Sequence, residues 1–215
     1  MIYLNGDGFA AASYANCEFS YASQDTNYAL RGKLIHPNNI NCSFGKLLSL
    51  ALHQPLSIEA WQFNVADKIF REVYKASENK LSYVIITWPN LLRDEVFLDG
   101  HYYTFAFKDI EQLGYDDDVQ AAIFEKMKSA DMTILKDQFE YNLIELCRYL
   151  DSKRIKHLMI PSDSKLPMGN ANWLWEDQTI VSWASKNNYL NSFGFLNKIG
   201  HQNLFKLVLD RLTNQ

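Results

Sequence analysis

The chain opens on a short apolar run, Ile2 to Leu4, that breaks at Asn5-Gly6-Asp7-Gly8-Phe9 and passes into small residues. This pattern predicts a strand ending in a sharp turn. Residues 10–42 show no clear period, and Pro37-Asn38-Asn39 marks a turn. Ser43 is placed to cap a helix through about Leu52, with Leu47, Leu48 and Ala51 inward. Leu56 to Ala60 predicts a second strand. From Phe63 to about Ala76, Ala66, Ile69, Phe70 and Val73 recur at helical spacing.

Leu81 to Trp88 is the clearest strand. Its unbroken apolar character suits burial on both faces, as in a parallel sheet, and Pro89 ends it. Asp99-Gly100 sits between β-prone runs within Val96 to Phe107, which predicts a hairpin leaving the main sheet. Asp116 to about Lys128 predicts a helix. The firmest helix covers 132–152, with Leu135, Phe139, Leu143, Leu146 and Leu150 on one stripe. His157 to Pro161 predicts another strand. A loop over 162–175 holds Pro167, Gly169 and two tryptophans. A helical segment near Asp177–Ser185 follows, then a final helix from about Gly200 to Leu212, with Leu204, Val208 and Leu212 inward. Strands alternating with helices predict a single α/β domain over 1–215: a three-layer α/β/α sandwich with a central, mostly parallel sheet of about five strands and a small hairpin excursion. In such folds sites form at the carboxyl ends of strands. Asp7-Gly8, Trp88 to Glu95 and Pro161 to Ser164 share that edge.

Charge and composition narrow the function classes. The formal charge is −4 and no Lys/Arg cluster occurs, so nucleic-acid binding has no electrostatic footprint. No apolar run is long enough to span a membrane, and no signal peptide is visible, so a cytoplasmic setting is expected. Cys17, Cys42 and Cys147 are odd in number and widely spaced, which fits a reducing compartment and no zinc site. No metal and no cofactor are expected. Aromatic residues reach 14%, which fits either a ring-rich core or a binding surface.

The blocks Asn5-Gly6-Asp7-Gly8-Phe9, Val84-Ile-Ile-Thr-Trp88 followed by Arg93 and Glu95, and Ser192-Phe-Gly-Phe195-Leu-Asn197-Lys-Ile-Gly200-His201 together resemble the SGNH (GDSL-like) hydrolases. The likeness is strongest to the divergent phage and bacterial branch. Asn64 to Arg71 is similar to the family's second block, with Asn64 or Val65 near a missing glycine. The resemblance implies an SGNH/flavodoxin-like fold and a serine esterase site, in which His activates the serine and Asp orients the His. At the matching positions stand Gly8 for the serine, Ser192 for the aspartate and Phe195 for the histidine. The resemblance therefore implies a degenerate site with no catalytic residue. Its vestigial pocket would comprise Asp7, Gly8, Asn64, Trp88, Asn90, Arg93, Phe195 and His201.

Two function classes follow. One is a catalytically inactive SGNH-like protein kept for binding, assembly or regulation; on the phage likeness it would be virion-associated or host-interacting. Its expected partner is a protein or a second copy, with carbohydrate as a further candidate. The other is an esterase or acyltransferase on acylated carbohydrate, with a relocated group such as His201 or a hydroxyl such as Ser13. His201 is otherwise a polar residue at a helix start. Arg93 and Glu95 form either a loop-anchoring ion pair or a pocket rim. Trp173 and Trp175, with Asn170 and Asn172, either anchor their loop or stack a sugar. Asp116-Asp117-Asp118 lacks the alternation and glycine of a calcium loop and fits a helix N-terminus.

Overall fold

The computed structural model describes residues 1–16, 36–61, 64–107, 115–167 and 171–214. Cys17, Gly169, Asn170 and the Phe63 helix start lie outside the described residues. The elements are β1 (Ile2–Gly6), α1 (Pro37–Cys42), α2 (Phe44–Ala51), β2 (Leu56–Ile58), α3 (Ala66–Ala76), β3 (Tyr83–Trp88), β4 (Arg93–Leu98), β5 (His101–Ala106), α4 (Asp117–Ser129), α5 (Met132–Ser152), β6 (Lys156–Pro161), α6 (Ile180–Lys186) and α7 (Lys198–Thr213).

Four strands form a parallel sheet in the order β2-β1-β3-β6. About five strands were expected, and four are present among the described residues; beyond β6 the chain makes a single parallel bridge between Met159 and Trp173. Alternation along the strands sorts the core. Tyr3, Val84, Ile86, Trp88 and Met159 face one side and pack with Ile69, Phe70 and Val73 of α3 and with Phe139, Leu143, Leu146 and Leu150 of α5. Ile2, Leu4, Ile85, Leu158 and Ile160 face the other and pack with α2, α6 and α7. Both faces are thus covered, which is why β3 reads as an unbroken apolar run.

In α2 the inward residues are Phe44, Gly45 and Leu48, while Ala51 is exposed. The adjacent pair Leu47-Leu48 allows two helical phases, and the large Phe44 four residues before Leu48 decides between them. The hairpin β4-β5 turns at Asp99-Gly100 with φ of 49° and 82°. This is the pair of positive φ values that a two-residue hairpin turn of matching twist requires. Its Val96 and Phe105 form a separate small core with Val119 and Ile123 of α4. Asp116 caps α4 by accepting from Val119 N at 3.0 Å, so the acidic run serves the helix start. No helix among the described residues is long and apolar enough to cross a membrane.

Candidate functional site

The carboxyl end of β1 is a rigid turn built from buried polar contacts. Gly6 has φ of 132°, and a β-carbon there would lie 2.2 Å from the Thr87 carbonyl oxygen. Only glycine fits that close approach. Asn5 Oδ1 accepts from Gly6 N at 2.6 Å and from Asn64 Nδ2 at 2.9 Å, and Asn64 Nδ2 also donates to the Gly6 carbonyl at 3.0 Å. Asn64 therefore locks the turn from the β2-α3 connection. Its own Oδ1 is buried without a partner.

Asp7 is buried and oriented inward. Its Oδ1 accepts from Thr87 Oγ1 at 2.9 Å and from Phe9 N at 3.1 Å. Burial raises its pKa from 3.8 to about 6, against the opposing pull of Arg93, Ser162 and Thr87. Ser162, at the end of β6, stands beside the carboxylate, but its hydroxyl meets no partner in hydrogen-bonding geometry. Thr87 and Ser162 escape a reading by motif, although Thr87 is the polar residue inside an apolar run that ends on the expected edge.

Gly8 carries no hydroxyl, and the space beside it is filled. A β-carbon on Gly8 would lie 2.3 Å from Phe195 Cε1. The Phe195 ring also packs on Phe9 at 5.5 Å and Tyr14 at 5.6 Å between centroids, and Tyr14 stacks on Phe193 at 4.7 Å. A tight turn holds the ring in place. Asn191 Oδ1 accepts from Phe193 N and Phe195 N, and Asn191 Nδ2 donates to the Tyr14 carbonyl at 2.9 Å. Asn191 is thus a positioning residue that the block comparison did not single out; an Asn three residues before Gly194 is its turn signal. Ser192 is exposed on the outside of this turn.

The other residues grouped by the sequence are dispersed. Trp88 is fully buried on the α3-α5 side, where its Nε1 donates to Met159 Sδ at 3.2 Å. His201 lies buried in the first turn of α7. Its Nδ1 accepts from Phe44 N at 3.4 Å, its ring is stacked with Phe44 at 6.0 Å, and its Nε2 has no partner. Burial drives its pKa from 6.5 down to about 3, so the ring is neutral. Among the described residues, no hydroxyl or thiol makes a hydrogen bond to it, as a relocated base would need. Asn90 accepts from Leu92 N at 2.9 Å and shapes the turn into β4.

Arg93 lies near Asp7, but Glu95 does not pair with it. Glu95 is buried and takes Arg71 of α3 as its partner, while Asp94 takes Lys126 of α4 at 2.7 Å. These pairs pin the hairpin to the body. Trp173 is buried and its neighbour Asn172 donates to the His157 carbonyl at 2.7 Å, so this part of the loop is an anchor; Trp175 packs on Trp183 at 5.5 Å. Among the described residues, no group of three His, Cys, Asp or Glu side chains could hold a metal.

The sequence matches no protein-family model and no curated protein. Solved structures are similar in shape. One is a lipolytic protein of the G-D-S-L family from Desulfitobacterium hafniense DCB-2, at 13% identity over 98% of each chain with a TM-score of 0.45. Another is a carbohydrate esterase whose active site displays divergent catalytic and non-catalytic binding functions. It is 14% identical over all of this chain and 68% of its own, with a TM-score of 0.54. At such identity the likeness speaks for the fold. The parallel sheet flanked by helices, with its turn after β1, shares the fold of that carbohydrate esterase.

Proposed function

We propose that this chain is a catalytically inactive SGNH-like protein retained for binding, assembly or regulation. One observation carries the reading: the Phe195 ring occupies the space that a side chain at position 8 would need. The nucleophile position thus lacks its oxygen, and the room for one is taken by the residue at the histidine position. The supports of the turn (Gly6, Asp7, Thr87 and Asn64) are all in place, so the fold is kept where the reaction chemistry is not. The similar carbohydrate esterase, with its divergent catalytic and non-catalytic binding functions, makes binding without turnover a reasonable use of the fold. On the resemblance of its sequence blocks to the divergent phage and bacterial branch, the chain would be a virion-associated or host-interacting component. No observation favours the alternative of a relocated esterase, since His201 is buried and no nucleophile among the described residues bonds to it. The test is the unmodified protein with short acyl esters and a fluorophosphonate probe. No turnover and no covalent label are expected; either one overturns the reading.

A further inference from the structure

Among the described residues β2 is an edge strand of the sheet, and its hydrogen bonds follow a strict alternation. Pro55 O accepts from Ile2 N at 2.8 Å, Glu59 N donates to Leu4 O at 3.0 Å, and Trp61 N donates to Gly6 O at 3.2 Å. Odd-numbered residues therefore serve β1. In a parallel pair, the alternate residues point their N–H and C=O groups the other way. Leu56 and Ile58 thus turn their backbone groups outward, and no partner among the described residues takes them up.

Such an edge is a template for another strand, and here it forms the floor of a groove of about 690 Å³. Lys46 and Ser49 of α2 stand on one wall and Lys68 and Glu72 of α3 on the other, with Trp61 at the end next to the β1 turn. Residues of α2 and α3 thus flank the outward backbone groups of β2. A single extended chain fits.

We propose that the β2 groove binds an extended segment of a partner polypeptide by strand addition, with main-chain bonds to Leu56 and Ile58. The walls specify its side chains. Residues paired with Leu56 and Ile58 turn toward the α2 side, where Ile40 and the two β2 side chains are apolar and Leu56 packs by Gly45. The residue between them turns toward Trp61, Lys68 and Glu72. There Lys68 lies 4.4 Å from the Trp61 ring centroid and 3.5 Å from Glu72, so this side suits a polar residue. The groove carries two lysines and two glutamates, so it suits a segment of low net charge with alternating apolar and polar residues. This inference does not depend on the state of the Gly8 site: ester turnover would overturn the function proposed above and leave the groove untouched.

The probe is a library of N-acetylated, C-amidated linear hexapeptides selected on the intact protein. Selected peptides are expected to alternate in polarity, and their binding to slow amide exchange at Leu56 and Ile58 at least tenfold. Methylating the peptide amides along one edge should weaken binding at least tenfold, and along the opposite edge leave it unchanged. Ile58→Pro removes an outward N–H without touching the bonds to β1, a change an edge strand tolerates; it should weaken binding as strongly. The methylated peptides test the same bonds on the unaltered protein if that variant misfolds. Failure to select any peptide, equal effects of methylation on both edges, or protection confined to another surface overturns the proposal. So does a dimer that buries Leu56 and Ile58, which would assign the edge to a second copy.

Discussion

Thr87 and Asp7 are tied through both side chain and backbone across the β1-β3 pair: Thr87 Oγ1 donates to Asp7 Oδ1 at 2.9 Å, and Asp7 N is shared between the Thr87 carbonyl and Thr87 Oγ1, each at 3.3 Å. The carboxylate is held where solvent cannot stabilise its charge, and its pKa rises to about 6. The folded chain therefore binds this proton more tightly than the unfolded chain does. Stability falls as pH rises from about 4 to 6 and then levels off, a loss of about 3 kcal/mol from this group. Asp7→Asn keeps the Oδ1 acceptor for Thr87 and Phe9. Urea unfolding between pH 4 and 7 should show that this descending component is gone. Parallel profiles for the variant and the parent would refute the assignment.

His201 works in the opposite sense. Its folded pKa near 3 lies below the unfolded value of 6.5. As pH falls below about 6.5, the unfolded chain takes up a proton that the buried ring refuses, so stability is lost progressively toward pH 3. Between pH 4 and 6 the two groups nearly cancel. His201→Phe, which can keep the stack on Phe44, should expose the Asp7 slope, with stability falling as pH rises. Asp7→Asn should expose the His201 slope, with stability rising. Denaturation midpoints across that window measure both, and equal slopes in the two variants would contradict the cancellation.

Gly8 and Phe195 should be energetically coupled. Gly8→Ala forces a β-carbon against the ring and is expected to cost about 2 kcal/mol through overpacking. Phe195→Ala alone leaves a gap over Phe9 and Tyr14 and costs a similar amount. Together they should cost less than the sum by more than about 1 kcal/mol. Additive losses in a double-mutant cycle would mean that the ring does not define the space at position 8.

Arg71 holds the hairpin through Glu95, and its guanidinium also lies 4.2 Å from the Tyr102 ring centroid. Glu95 is buried with its second carboxylate oxygen unpartnered. Arg71→Ala should cost about 2 kcal/mol, discounted because Arg71 is partly exposed. Arg71→Ala with Glu95→Leu should recover most of that loss, because no charge is then left buried. Urea midpoints decide it; an undiminished loss in the double variant would show that Arg71 acts through the ring contact instead.

Elements with a strong period were legible because local pattern and tertiary burial agree. The α5 stripe from Phe139 to Leu150, the β3 run and the Asp99-Gly100 turn all stand as the pattern implies. The phase of α2 was not, because Leu47-Leu48 is ambiguous until Phe44 is seen to be buried. The site was legible as an edge but not as a contact. Phe195 meets Gly8 from the opposite end of the chain, and no local spacing encodes that meeting. The packing of His201 on Phe44 is equally long-range, so the polar character of the residue pointed to a helix start without indicating burial. Trp88 closed its strand as expected, yet the side of the sheet it faces is set by β1-β3 register. That register sends it into the core and away from the turn it follows.

The Met159–Trp173 bridge has a consequence for valency. It covers the middle of β6 with one residue whose ring is buried, while among the described residues no strand pairs with the outer side of β2. A sheet open at both edges can be lengthened from either side and invites polymerisation. This sheet can accept an incoming strand on one flank only. A segment docked there as proposed would form a one-to-one complex, with growth terminated at the other flank instead of propagated.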